Sequence, residues 1–477
     1  MENQKSMFRY ESLARELASK IKNGMYQAGE KLPSIRELHH HRNLSISTIY
    51  KAYVELETIG LIEARPKSGY YVSPPRSFLK KPAYIKRDAE PRKVDLSSVG
   101  QLIHSEIGNP DILPLGCALI SPDLFPYKHF SRIVKGITAN EMKTLMSYAP
   151  GSGLPELKRQ IAMRTMGVFG AIDEEDIIIT NGCMEALALS LQSVVKPGDT
   201  IAIETPTFFS ILCLLEELGV YVVEVPTDPR YGVEPAELEK VLAKNEIKAC
   251  LFMPNFQNPL GALMPDSAKQ QIVAMLNQRE IPLIEDDIYA ELYFGKKRPS
   301  TMKQYDTRGL VLSCSSFSKT LAPGLRIGWI LADKRFRQQV QKLKTVVSIS
   351  SSNLDQFVMT RFLENGGYDR HLRSLRKALN RQIVSMACAI QKHFPANTRL
   401  AIPEGGSFLW VGLPGGIDSL QVFEKAMQNN IAVLPGVACS ATRRYRSYLR
   451  INCGYPFQET MEEGIARLGQ IINNLTC

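Results

Sequence analysis

From about residue 150, short β-rich runs alternate with helix-patterned stretches. That alternation constrains the fold more than anything else in the chain. The runs are DIIIT, TIAIE, YVVEV, ACLFM, IPLIE and GLVLSC, and between several of them lie stretches such as MEALALSLQSVV and SAKQQIVAMLNQR. Such a pattern buries its apolar faces best as a mostly parallel sheet covered by helices. Ligands in sheets of this kind sit beyond the carboxyl ends of the strands.

The polar motifs fall at those ends. After DIIIT comes NGCMEAL, where Gly182 allows a tight turn and Cys183 and Met184 begin a helix. Free N–H groups at a helix start can hold a phosphate. After TIAIE, Phe208 stands on a loop where it could stack on a flat ring. Asn258, in PNFQNPLG, is a neutral donor for a ring hydroxyl. In DDIYAELYF, Asp286 is placed to pair with a protonated ring nitrogen, and Tyr289 could bond the same ring hydroxyl. The stretch SCSSFSKTLAPGLRIGW then brings one lysine, Lys319, with Ser316 and Ser318 before it and Arg326 seven positions on.

A buried lysine loses its proton readily, and a neutral amine is what Schiff-base chemistry requires. The hydroxyls and the guanidinium suit an anchored phosphate. An aldehyde and a phosphate on one flat ring point to pyridoxal 5′-phosphate (PLP). Each motif alone has an ordinary reading: Asp286 as a helix cap, Phe208 as a core aromatic, Asn258-Pro259 as a turn, Lys319 as a surface side chain. Their joint order, each following a strand, carries the assignment.

The N-terminal segment has a different grammar. Leu13, Leu17 and Ile21 recur every fourth position, one face of a helix that Gly24 ends. Pro33 and Ser34 open a second helix, and Ser45 is a good N-cap for a third with the stripe Ile49, Ala52, Tyr53 and Leu56. Two β-patterned runs, LIEA and GYYV, flank RPKSG. Three helices and a basic hairpin make the layout of a winged helix-turn-helix, whose third helix enters the DNA major groove. Residues 1–80 hold 13 Lys/Arg against 8 Asp/Glu, within a chain of net charge +10, which fits an anionic partner. His39, His40 and His41 are adjacent and point three ways round a helix, so they read as a solvated helix end and not as metal ligands.

The expected division is a head at 1–75, a Pro-rich basic linker at 76–95, and a body at 96–477. Within the body, the large part spans about 150–345 and the small part combines 96–149 with 346–477. The linker reaches at most ~70 Å. No apolar run approaches the ~20 residues of a membrane span. Nine cysteines lack a C-x-x-C pair, so neither a disulfide frame nor a metal site is expected, and a cytoplasmic location is.

Residues 8–73 resemble the GntR-type DNA-binding domain through G-x-Y-x-x-G-E-K-L-P-S-I-R-E-L from Gly24 to Leu38, S-T-I-Y-K-A-Y, and the ARPKSGYYV wing. The resemblance implies that Arg36, Ser45, Ser47, Thr48, Tyr50, Lys51, Arg65, Lys67 and Gly69 face double-stranded DNA. From about residue 96 onward the ordered motifs resemble the fold-type I PLP-dependent enzymes of the aspartate aminotransferase family. That likeness implies an α/β body with a smaller α/β subdomain. It also implies that Tyr148 reaches the phosphate in the neighbouring subunit, that Ser316 and Arg326 are phosphate ligands, and that Arg450 in Y-L-R-I-N-C-G clamps a substrate α-carboxylate. Leu157-Lys158 departs from the Leu-Arg frequent in that family.

Head and body together resemble the MocR subgroup of bacterial transcription regulators. The resemblance implies a homodimer, with a head-to-tail exchange of domains as one arrangement, that binds repeated or palindromic half-sites. The function expected is a regulator that senses an amino acid or related amine through an external aldimine with PLP. Two alternatives stay open: an active aminotransferase carrying a DNA-binding head, and a sensor of PLP itself that controls vitamin B6 metabolism. Half-transamination is chemically possible in the first reading, and the sequence does not decide turnover.

Overall fold

The structure, a computed structural model, describes residues 8–27, 29–65, 68–73, 80–85, 90–94, 109, 111–169 and 172–475. Lys67 and much of the linker lie outside the described residues, as does the side chain of Arg65.

The head is built from α1 (Arg9–Lys22), α2 (Ile35–Arg42), α3 (Ile46–Thr58) and an antiparallel hairpin of β1 (Ile62–Arg65) and β2 (Gly69–Val72). Leu13, Leu17 and Ile21 of α1 pack against Ile49, Tyr53 and Leu56 of α3. Each such burial contributes roughly 1.5–3 kcal/mol. Local chemistry sets the boundaries. Ser34 and Glu37 form a reciprocal capping box at the start of α2. Asn43 ends α2 in a left-handed conformation that Asn tolerates. Ser45 Oγ then accepts from the Thr48 N–H at 3.1 Å and starts α3. The Tyr53 hydroxyl donates to the Pro33 carbonyl at 2.6 Å and pins α3 to the turn before α2.

The large sheet of the body contains β3 (Arg92–Lys93), β5 (Ile177–Asn181), β6 (Thr200–Thr205), β7 (Tyr221–Asp228), β8 (Gly232–Val233), β9 (Ala249–Phe252), β10 (Leu283–Asp286), β11 (Val311–Ser316) and β12 (Ile327–Leu331). Its order is β3-β7-β6-β9-β10-β11-β12-β5, with β8 paired to β7. The centre, from β7 to β11, is parallel. The central strands β9 and β10 are buried on both faces, which explains the unbroken apolar run ACLF of β9, while the carboxylates Glu285 and Asp286 fall at the end of β10. β12 runs antiparallel to both β11 and β5, so β5 ends on the same edge as β11. The reversed β12 begins on that edge too.

A second sheet, β13 (Arg399–Leu400), β14 (Phe408–Gly412), β17 (Tyr448–Asn452) and β16 (Leu434–Pro435), is antiparallel. It shares one core with the long helix Gly367–His393 and the helix Glu459–Asn474. The segment β4 (Leu113–Pro114) pairs with β15 (Ile431–Ala432) beside it. Within the chain, the end of α3 meets the body, where Lys296 Nζ lies 2.9 Å from Glu55 Oε1 and Lys377 Nζ 3.6 Å from Glu57 Oε2.

Candidate functional site

The strand edge that carries the carboxyl ends of β5, β6, β9, β10 and β11 collects most of the expected site residues. Asp286 closes β10 and is 3% exposed. Its Oδ1 accepts from the Ile288 N–H at 3.1 Å and from the Cys183 thiol at 3.6 Å, while its second oxygen takes no hydrogen bond from the described residues. Burial pushes this carboxyl up to about 7, against the N–H, the thiol and the Lys319 charge, which favour its ionised form. Burial likewise raises the Cys183 thiol, which stays protonated and can donate.

Lys319 follows β11 and is half-buried, with Nζ donating to the Ala118 carbonyl at 2.6 Å. Desolvation by the surrounding protein, then the Arg450 charge, lower its ammonium to about 8, while Asp286 acts in the opposite direction. Its amine is therefore far more often neutral near pH 7 than an ordinary lysine.

Arg450, on β17, is fully buried. Its guanidinium donates to Asn258 Oδ1 at 2.8 Å and to the Gly116 carbonyl. The Asn258 amide in turn donates to the Tyr289 hydroxyl at 3.4 Å. Burial holds that phenol above its ordinary value, so it is a neutral hydroxyl. Arg450, Asn258 and Tyr289 thus form one connected polar set between the two sheets.

The opposite end of the site is a cradle. Gly182 has φ +84° and precedes the helix Cys183–Val194. A Cβ there would stand 2.3 Å from Arg326 Nη2. Arg326 reaches this place because β12 is reversed and begins beside the end of β5. Its Nη2 donates to the Asn181 carbonyl at 3.1 Å and its Nη1 reaches Ser318 Oγ at 3.5 Å. Ser316 Oγ accepts from the Ser318 N–H at 3.2 Å. The helix start, two hydroxyls and a guanidinium converge as an anion site would require.

Phe208 is half-buried on the loop after β6 and packs edge-to-face on Phe209 at 5.2 Å. Met184 packs into the core behind the helix start. Tyr148 is not brought to this pocket: it is 81% exposed and makes no hydrogen bond among the described residues.

In the head, Arg36, Ser45, Ser47, Tyr50 and Lys51 are exposed and Thr48 is half-buried. Ser45 Oγ is within 2.9 Å of Ser47 Oγ and 2.8 Å of Thr48 Oγ1, so three hydroxyls cluster at the start of α3. Gly69, with φ +115°, opens β2 against Lys31.

Three contributors escape sequence reasoning. The carbonyls of Gly116 and Ala118 cap Arg450 and Lys319, and a carbonyl has no sequence signature. The sequence gives Cys183 only a backbone role. The contact of its thiol with Asp286 depends on the spatial meeting of β10 with a helix start about a hundred residues earlier.

The donor set fits PLP. There is a lysine amine of lowered pKa, a carboxylate with one oxygen still available, and a cradle that a single Cβ would fill. The comparisons with known proteins agree. Residues 125–468 match the family described as aminotransferase class I and II, and residues 9–72 match bacterial regulatory proteins of the gntR family. The HTH-type transcriptional regulator YjiR of Escherichia coli K12 is 35% identical over 98% of this chain and 99% of its own. Kynurenine aminotransferase of Pyrococcus horikoshii, solved in complex with PMP, superposes with a TM-score of 0.73 at 28% identity, covering 80% of this chain and 95% of that one. LysN, the α-aminoadipate aminotransferase of Thermus thermophilus, solved with N-(5′-phosphopyridoxyl)-L-leucine, gives 0.73 at 26% identity, over 80% and 99%. These findings support PLP as the cofactor of the body. With a gntR-type head and a fold-type I aminotransferase body matched along nearly its full length, the chain belongs to the MocR-type family of HTH transcriptional regulators.

Proposed function

We propose that this protein is a PLP-dependent transcriptional regulator that binds double-stranded DNA through its head and senses an amino acid or related amine in its body. One observation carries the reading: Lys319, Asp286 and Arg450 converge in a chain whose head carries a cluster of hydroxyls at the exposed start of α3. Bound in this pocket, PLP supplies an aldehyde that condenses with amines and a ring that accepts electrons.

The protein's own groups have separable tasks. Lys319 offers the amine that holds the cofactor aldehyde. Asp286 keeps a proton on the ring nitrogen, and Asn258 and Tyr289 address the ring hydroxyl. Gly182, Cys183 and Met184 offer backbone N–H groups to the phosphate, with Ser316, Ser318 and Arg326 beside them. Arg450 holds the carboxylate of the sensed molecule, and Tyr148 of a second copy completes the phosphate site in a homodimer. In the cytoplasm, that dimer reads repeated or palindromic half-sites with Arg36, Ser45, Ser47, Thr48, Tyr50, Lys51 and Gly69, and with Arg65 and Lys67 of the wing. A sensed molecule regulates only by favouring one arrangement of the heads over another.

A catalytic reading draws on the same pocket. The groups needed for half a transamination are all present, so turnover with a 2-oxo acid is the test that separates an enzyme from a sensor. Arg450 disfavours a sensor of PLP alone, which has no need of a buried carboxylate clamp. The decisive experiment is absorbance of the purified protein and of Lys319→Ala. The wild type is expected to be yellow and the variant to lack the band of the lysine-bound cofactor; an unchanged band in the variant refutes the lysine assignment.

A further inference from the structure

One short loop touches both the head and the strand that carries Asp286. In Gly295–Pro299, Lys296 points outward to Glu55 of α3 at 2.9 Å. Two residues on, Arg298 points inward, and its Nη2 lies 2.6 Å from Asp287 Oδ2. Asp287 is 3% exposed and directly follows Asp286. The same guanidinium donates from Nε to Glu291 Oε1 at 2.9 Å. Glu291 is held from the far side by Arg376, through Nη2 to Oε2 at 3.1 Å and Nε to the Glu291 carbonyl at 2.7 Å. Arg376 neighbours Lys377, which faces Glu57 of the head at 3.6 Å. Two ion pairs to the head and one chain of half-buried side chains that ends on the buried Asp287, Asp287–Arg298–Glu291–Arg376, therefore form a closed circuit.

The body's side of this contact is basic, with Arg373 and Arg381 beside Lys296 and Lys377, and the head's side is acidic, with Glu55, Glu57 and Glu63. Between them lies a cleft of about 790 Å³. The contact is thus a loosely filled cleft, lined by apolar as well as charged side chains and bridged by two surface ion pairs, and an interface of this kind can rearrange. The buried end is the reverse. Asn255 donates to Asp287 Oδ1 at 2.8 Å, and Lys269 holds Asn255 Oδ1 at 2.8 Å. Removing one member of a buried pair leaves its partner's charge without compensation, so a shift at one end is felt at the other.

We propose that the head docks on this basic face of the body, and that Arg298 and Glu291 act as positioning residues that couple docking to the cofactor pocket through Asp287. The proposal rests on the PLP-binding reading given above and adds the route by which head and pocket communicate. Coupling between two sites is reciprocal, so docking must alter PLP affinity as much as PLP alters docking.

The test is the apparent Kd of the full-length apo chain for PLP, followed by absorbance. Lys296→Ala with Lys377→Ala loosens the head at two exposed positions remote from the pocket, and should change the Kd by about 5-fold or more. The charge-swapped pair Glu55→Lys with Lys296→Glu should return it towards the wild-type value. In a Glu291→Gln background, chosen because Arg298 variants risk misfolding, the Lys296/Lys377 change should have no effect. An unchanged Kd in the docking variant overturns the proposal, and so does an equal change in both backgrounds. A wild-type chain that shows no PLP absorbance at all overturns instead the reading on which the proposal rests.

Discussion

Arg450→Met removes the guanidinium that we propose holds a carboxylate and keeps a side chain of comparable length. Arg450 is fully buried and already donates to Asn258 Oδ1 and the Gly116 carbonyl. Losing one partner of a buried charged pair costs about 2–5 kcal/mol in binding. A carboxylate would take over the bond now made to the neutral Gly116 carbonyl, so part of its gain is offset and the lower half of that range applies. About 2–3 kcal/mol corresponds to roughly 30- to 150-fold weaker binding. The assay is an absorbance titration of the PLP-loaded protein with an amino acid and with the amine lacking its carboxylate. The amino acid should lose the full factor and the amine should bind within about 3-fold of wild type, a difference of less than about 1 kcal/mol. Equal losses for both compounds would mean that Arg450 only supports the pocket wall, and no loss for either would remove it from recognition altogether.

Other expectations follow from the same geometry. Gly182→Ala places a Cβ 2.3 Å from Arg326 Nη2 at φ +84° and ψ 174°, so apo stability should drop by about 1–3 kcal/mol from the backbone alone, and PLP affinity should fall with it; unchanged thermal unfolding and PLP titration would contradict the cradle. The Lys319 amine must be neutral to capture an aldehyde, and its ammonium is lowered to about 8 by burial and Arg450. The rate of PLP capture by the apo protein should thus rise with pH and level off above about 8, as stopped-flow absorbance would show; a rise continuing past about pH 9 would indicate an ordinary lysine. In the head, Arg36→Ala should weaken operator binding and reduce the slope of log K against log salt by about 0.9 if one phosphate contact is lost; binding isotherms at several salt concentrations measure both.

The fold was legible where local chemistry repeats. TIAIET and ACLF read as buried strands because both faces are covered, and Leu13, Leu17 and Ile21 read as a helix face because they share one side of α1. The capping serines Ser34 and Ser45 marked the starts of α2 and α3 for the same reason. What stayed hidden depends on meetings between distant segments. IGWIL carries no mark of direction, yet only the reversal of β12 lets Arg326 reach the end of β5. The backbone of Gly116 and Ala118 enters the site through carbonyls, which any residue type could supply. Arg298, in a charged surface-like run of GKKRP, gave no hint that its guanidinium turns inward to Asp287.

Helix α3 presents its first turn outward and rests its last turns on the body through Glu55 and Glu57. Thirteen residues make a rigid rod of about 20 Å. A tilt of about 10° at the resting end therefore sweeps the tip by about 3.5 Å, close to the rise of one base pair along a DNA strand. The rod works as a lever arm: a tilt of that size at its fulcrum would shift its tip by about one base-pair step.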